Sequence, residues 1–155
     1  MAVPAYSVDI RRLEDFSAAE LYALLRLRVD VFVVEQACAY PELDGKDAAA
    51  LHLRLSVDGE TAAYARLWQP EGKPPRIGRV LVAPAHRGKR LGDALMQEAI
   101  AACGTHFPGM PIALSAQSYL EHFYRSLGFS PTSEEYVEDG IPHIDMIRPA
   151  TESQP

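Results

Sequence analysis

The chain predicts a single α/β domain, and three observations carry that reading. At 155 residues it is long enough to bury a sizeable core without metal or disulfide staples. Stretches of helical spacing alternate along it with stretches of strand pattern, the order expected of helices packed on a sheet. No repeat or linker divides it, so residues 1–148 read as one domain and 149–155 as a disordered tail.

The elements follow in order. Tyr6, Val8 and Ile10 alternate, predicting a first strand over Tyr6 to Arg12. Ser17-Ala18-Ala19-Glu20 is a capping box, and Leu21, Leu24, Leu25, Val29 and Phe32 behind it predict an amphipathic helix to about Val34. From Glu35 to Asp47 the pattern stops, and a loop that long in a compact domain is often functional. Leu51, Leu53, Leu55 and Val57 alternate, Asp58-Gly59 supplies hairpin chemistry, and Thr61 to Trp68 returns as the partner strand.

After the breakers Pro70 to Pro75, Ile77 to Val82 predicts a buried strand. A Gly- and Arg-containing turn, Pro84 to Gly92, then leads into a helix from Leu91 to about His106. Ile112-Ala113-Leu114 reads as a buried parallel strand, continuous rather than alternating. Ser118-Tyr119-Leu120-Glu121 matches a second capping box, opening a short helix that stops at Gly128. Strands near Tyr136 and over His143 to Ile147 flank Asp139-Gly140.

Composition narrows the function. Fifteen basic against 21 acidic residues give a net charge of −6, which argues against a general nucleic-acid binder. Two cysteines, Cys38 and Cys103, are too few for a disulfide framework and fit a reducing compartment. Met1 to Arg12 lacks a signal-peptide pattern, and no apolar run approaches the roughly 20 residues of a membrane span. A cytoplasmic protein with no membrane partner is the expectation.

The chemistry concentrates in Arg79-Val80-Leu81-Val82-Ala83-Pro84-Ala85-His86-Arg87-Gly88-Lys89-Arg90-Leu91-Gly92. A buried strand feeds a turn that opens a helix, and a helix start presents free N–H groups and partial positive charge to an anion. Glycines permit close approach, and Arg87, Lys89 and Arg90 add charge. The spacing is neither that of a P-loop nor that of the dinucleotide fingerprint, and a solvated basic helix start is the plain alternative.

This stretch resembles the pyrophosphate-binding motif of the GNAT acyltransferases, Arg/Gln-x-x-Gly-x-Gly/Ala. Arg87 matches its first position and Gly92 its last, while Arg90 stands where the middle glycine is usual. Phe123-Tyr124-Arg125-Ser126-Leu127-Gly128-Phe129 resembles the family's C-terminal block. Arg28, Val31 to Gln36, Tyr40, Leu43-Asp44-Gly45, Ala63 to Arg66 and Glu138 to His143 are similar to the ElaA-type branch. The resemblance implies a mixed central sheet flanked by helices, acetyl-CoA as donor and a small-molecule or peptide amine as acceptor. It leaves a homodimer open.

It also implies roles. Pantetheine would run along Val80, Leu81 and Val82, with pyrophosphate on Arg87, Gly88, Lys89, Arg90, Leu91 and Gly92. Tyr124 stands where the family often places the acid that protonates the thiolate, and a phenol and a thiol have comparable pKa values. Glu35 is the first choice of general base and His143 the second, because histidine titrates near neutral pH. Each of the three has a structural alternative: packing, loop anchoring or strand satisfaction. His52, His86, His106 and His122 lack metal-ligand spacing, so no metal is expected. Cys38 has no basic neighbour to activate it, and no Gly-x-Ser-x-Gly elbow exists. Glu35, Glu42, Asp44 and Asp47 against Lys46 suggest an acidic rim that would steer a cationic amine, or simply a solvated loop. A CoA-binding sensor or interaction module without turnover is the alternative to an enzyme.

Overall fold

The structure is a computed structural model that describes residues 2–150. The tail expected from residue 149 therefore lies largely outside the described residues. Eight strands form one sheet: β1 (Ser7–Arg12), β2 (Leu51–Val57), β3 (Glu60–Trp68), β4 (Arg76–Val82), β5 (Ile112–Gln117), β6 (Ser130–Pro131), β7 (Tyr136–Glu138) and β8 (Ile141–Arg148). The order is β1-β2-β3-β4-β5-β8-β6, with β7 on β8. Every pairing is antiparallel except β4 with β5. Three helices accompany the sheet: α1 (Ala18–Val29), α2 (Leu91–His106) and α3 (Glu121–Ser126).

One side of the sheet makes the main core. Leu53, Leu55, Ala65 and Ile77 meet Leu91, Leu95, Met96 and Ala99 of α2, all buried. Phe16, Leu24, Val31, Tyr64 and Leu81 form a second, smaller cluster beneath α1. Alternation along the strands assigns residues to these two faces.

Three local features shape the cleft. First, β4 carries an extra residue: Tyr64 faces Leu81 and Arg66 faces Gly78, and Arg79 takes φ 51° within that bulge. Second, β5 pairs with β4 only at Arg76–Ala113 while its other edge pairs with β8 from Ile112 to Gln117, so the two parallel strands splay. Third, α1 does not end at Val34 as a regular helix. It widens at Asp30–Glu35 into a π-helical segment, a feature frequent at functional sites.

Two expectations need correction. Ser118 does not cap α3: Ser118–Leu120 is a 3-10 turn, and the Ser118 hydroxyl is buried without a partner. A capping box needs the helix to begin right after the serine, and here it begins three residues later. Ile112 to Leu114 is not continuously buried either. β5 alternates, because antiparallel β8 flanks it and its other face opens on the cleft. The box at Ser17 does form, with Glu20 N–H on Ser17 Oγ and Ser17 N–H on Glu20 Oε1.

Candidate active site

The splay between β4 and β5 opens into a cleft of about 520 Å³. Val80 from β4, Leu114, Ser115 and Gln117 from β5, Tyr124 from α3 and His143 from β8 all border it. The π-helical segment adds Phe32, and the loop beyond contributes Gln36, Cys38 and Tyr40. Past Arg76 no strand lies against the open edge of β4, so its polar backbone there faces the gap.

At one end of this gap α2 begins, and its start is left bare. Arg90 is the residue before the first turn, with φ 60° and ψ 24°, and no side chain caps the helix. The N–H groups of Leu91, Gly92 and Asp93 thus have no acceptor among the described residues. Arg90 adopts the left-handed conformation a glycine would take without strain, so the backbone path of the motif survives the substitution. Gly88, at φ 79°, supplies the second left-handed turn. A Cβ added at Gly92 would meet only Val82 Cγ2, at 3.9 Å, so nothing in the chain itself fills that space.

Arg87 is engaged differently. Its Nε donates to the Val82 carbonyl at 3.0 Å, its amide to Pro84, and its guanidinium grips Glu35 through both terminal nitrogens. The Arg87 hydrogen bonds hold the Glu35 carboxyl below the ordinary range. Glu35 does not border the cleft that Tyr124 and His143 share. The geometry brings Tyr124 and His143 together on one cleft and leaves Glu35 outside its lining, held by Arg87 of the turn before α2.

Tyr124 has a buried ring packed edge-on between Phe123 and Phe129, and its hydroxyl has no partner among the described residues. Burial raises that phenol to about 12. His143 Nδ1 lies 2.7 Å from the Ile141 carbonyl, which can only accept. The proton of the neutral ring therefore sits on Nδ1 and the lone pair on Nε2. Tyr136 stacks on this imidazole with ring centroids 6.0 Å apart. Its hydroxyl donates to Asp145 Oδ1 at 2.6 Å, and Ser115 Oγ lies within hydrogen-bond distance of both oxygens.

The sequence reading missed Tyr136, Asp145 and Ser115. Their signal was the period of two, since Ser115 and Gln117 share one face of β5 opposite Asp145 and His143 on β8.

The acidic rim is not a rim. Glu42 and Asp47 are buried, at 4% and 8% exposure. Fully buried Arg28 donates to Glu42 at 2.7 Å and Asp47 at 2.8 Å. Arg66 forks onto Asp44 and reaches Asp47, while Arg79 binds Asp44 and lies 2.7 Å from Glu42. Burial pushes the Asp44 and Asp47 carboxyls up, but the arginines outweigh it and hold both low. Three arginines cancel three carboxylates, so the loop is clamped and neutral where a charged surface was expected. Cys38 is buried with Sγ on the Asp139 carbonyl at 3.4 Å, and it ties this loop to the β7–β8 turn.

Among the described residues, no group of three or more His, Cys, Asp or Glu could hold a metal. No helix among them is long and apolar enough to cross a membrane.

The chain can now be set beside known proteins. The model of the acetyltransferase (GNAT) domain matches residues 14–148. Protein ElaA of Escherichia coli K12 is 45% identical over 138 residues, 86% of this chain and 90% of ElaA. A UPF0039 protein of Schizosaccharomyces pombe is also 45% identical, over 82% of this chain and 86% of its own length. The crystal structure of Escherichia coli ElaA superposes with a TM-score of 0.87 at 41% identity, covering 93% of this chain and 99% of that one. An acyl-CoA N-acyltransferase from Pseudomonas aeruginosa gives 0.88 at 42% identity with the same coverage. With the splayed β4–β5 cleft and the uncapped α2 turn, these matches make the chain a member of the GNAT acetyltransferase family, in its ElaA-type branch, and hence an acyltransferase that draws on a CoA thioester.

Proposed function

We propose that the chain moves an acetyl group from acetyl-CoA to a primary amine by direct attack within the β4–β5 cleft. The observation that carries this reading is the pairing of Tyr124 and His143. A phenol with no partner among the described residues and an imidazole with its Nε2 lone pair free border one cavity. The bare amides of Leu91, Gly92 and Asp93 suit the diphosphate, and Gly92 leaves room for it. The open edge of β4 at Val80 to Val82 suits pantetheine, with backbone N–H groups able to stabilise the developing oxyanion.

The step balances simply. His143 Nε2 takes a proton from the acceptor ammonium, and the freed nitrogen forms the N–C bond at the thioester carbonyl. The C–S bond then breaks, and Tyr124 gives its proton to the departing thiolate. The second proton on the newly acylated nitrogen returns to the Tyr124 phenolate, and His143 releases its proton to solvent. A phenol raised to about 12 is fully protonated at neutral pH and so available as the donor. The ion pair with Arg87 makes Glu35 a poor base, so the geometry favours His143.

The test is CoA-thiol release from acetyl-CoA across a panel of primary amines. Release with one or more amines is expected, falling on the order of 10²-fold in His143→Gln and changing less than about twofold in Glu35→Gln. Tight acetyl-CoA binding with no release from any amine would instead mark a CoA sensor. The reverse order of the two variants would restore Glu35 as the base.

A further inference from the structure

Once the loop clamp has consumed its charges, the cleft is electrically lopsided. Arg66 and Arg79 border it but are spent on Asp44 and Glu42. Two other bordering cations are not. The Arg76 guanidinium has no hydrogen-bond or ion-pair partner among the described residues, and Lys46 Nζ rests only on the Trp68 ring, 4.6 Å from its centroid. Arg76 and Trp68 are cross-strand neighbours on β4 and β3, so these three side chains make one cationic corner. At the other end the β7–β8 turn sets Glu138 and Asp139 on the cleft, both exposed and without a cationic partner among the described residues.

We infer that the acceptor is an amine that also carries an anionic group several bonds away. Its ammonium would lie toward Glu138, Asp139 and His143, and its anion on Arg76 and Lys46. This rests on the acyl-transfer reading and adds the class of substrate to it. The corner is built for an anion: a guanidinium offers a fork to a carboxylate or phosphate, and Trp68 holds the lysine stem in place.

The spacing sets the length. Arg76 stands opposite Ala113, and His143 opposite Gln117, four residues further along β5. At about 3.3 Å per residue and about 4.8 Å per strand, the two backbone positions lie roughly 13 Å apart along the strands and about 10 Å apart across them. Side chains reaching inward shorten that span to one a chain of several carbons can bridge. An α-amino acid, with its ammonium and carboxylate on one carbon, is too short.

The experiment compares hexylamine, hexamethylenediamine and 6-aminohexanoate as acceptors, reading CoA-thiol release. A charge-assisted hydrogen bond discriminates by on the order of tenfold, so 6-aminohexanoate should lead in kcat/KM by at least that much, chiefly through KM. In the double variant Arg76→Gln with Lys46→Gln, the ratio of 6-aminohexanoate to hexylamine should fall toward one. Arg76→Lys, which keeps the charge on the strand, should retain most of it and guards against simple misfolding. A preference for hexylamine or the diamine, or a carboxylate preference that survives the double variant, overturns the inference. No release from any of the three, with acetyl-CoA still bound, overturns the acyl-transfer reading for such amines and the inference with it.

Discussion

The starts of α1 and α2 are built in opposite ways. At α1 the Ser17–Glu20 box satisfies the first amides reciprocally. At α2 Arg90 is held in a left-handed turn, no side chain caps the helix, and three amides point into open space. The same contrast repeats on a larger scale. In the 36–47 loop every charged carboxylate finds an arginine, whereas in the cleft next to it Tyr124 and Arg76 keep polar atoms without partners. Satisfied polar groups hold the fold, and the unsatisfied ones mark where a ligand belongs.

The sharpest way to break this contrast is to damage the satisfied side. Arg28→Ala leaves Glu42 and Asp47 buried without their cation, and such losses cost about 3–5 kcal/mol. Urea unfolding should show the full loss; a cost under about 1 kcal/mol would mean the clamp is solvated in practice. The clamp also predicts an acid limb. Asp44 and Asp47 sit below the unfolded value of about 3.9, so their stabilisation is complete above that pH and lost as pH falls through their folded values. Unfolding midpoints should therefore hold from pH 7 to about pH 4 and drop below it, and drop less steeply in Arg28→Ala.

On the open side, Tyr124→Phe should lower turnover by about 10²-fold while leaving acetyl-CoA affinity nearly intact. Turnover within twofold of wild type would reduce the phenol to packing between Phe123 and Phe129. A smaller effect is expected at Arg90, whose left-handed φ costs a non-glycine residue about 1–2 kcal/mol. Glycine there gives back part of that through greater unfolded-state entropy. Arg90→Gly should thus raise stability by up to about 1 kcal/mol, read as a shift in urea midpoint. A fall in stability would show that the exposed Arg90–Asp93 pair at 3.6 Å matters more than the backbone.

Much of this was legible in the sequence, because periodicity and turn chemistry are local. The hairpin at Asp58-Gly59, the Ser17 box and the stop at Gly128 appear where residue type demands them. The motif around Arg87 to Gly92 was legible for the same reason. What escaped was long-range. Arg28 occupies the buried stripe of α1 between Leu24 and Val31, a place that charge alone argues against. Only the return of the loop, bringing Glu42 and Asp47 over it, makes that burial tolerable. The loop carboxylates looked like a surface for the same reason, since their arginines come from α1, β3 and β4. The partner of Glu35 was hidden in the same way, since Arg87 lies 52 residues away in the chain.

The central claim is that the bare α2 start and the open β4 edge form the CoA site, and thermal unfolding with acetyl-CoA tests it most directly. If the dissociation constant is near 10 µM, ligand at about 100-fold excess adds roughly 2.7 kcal/mol. That raises Tm by on the order of 5 °C in a chain of this size. Gly92→Glu, which sets a carboxylate among the free amides, should remove the shift while Ser17→Ala, at the satisfied helix start, should keep it. An unchanged melting curve for the wild-type chain at millimolar acetyl-CoA would contradict the claim.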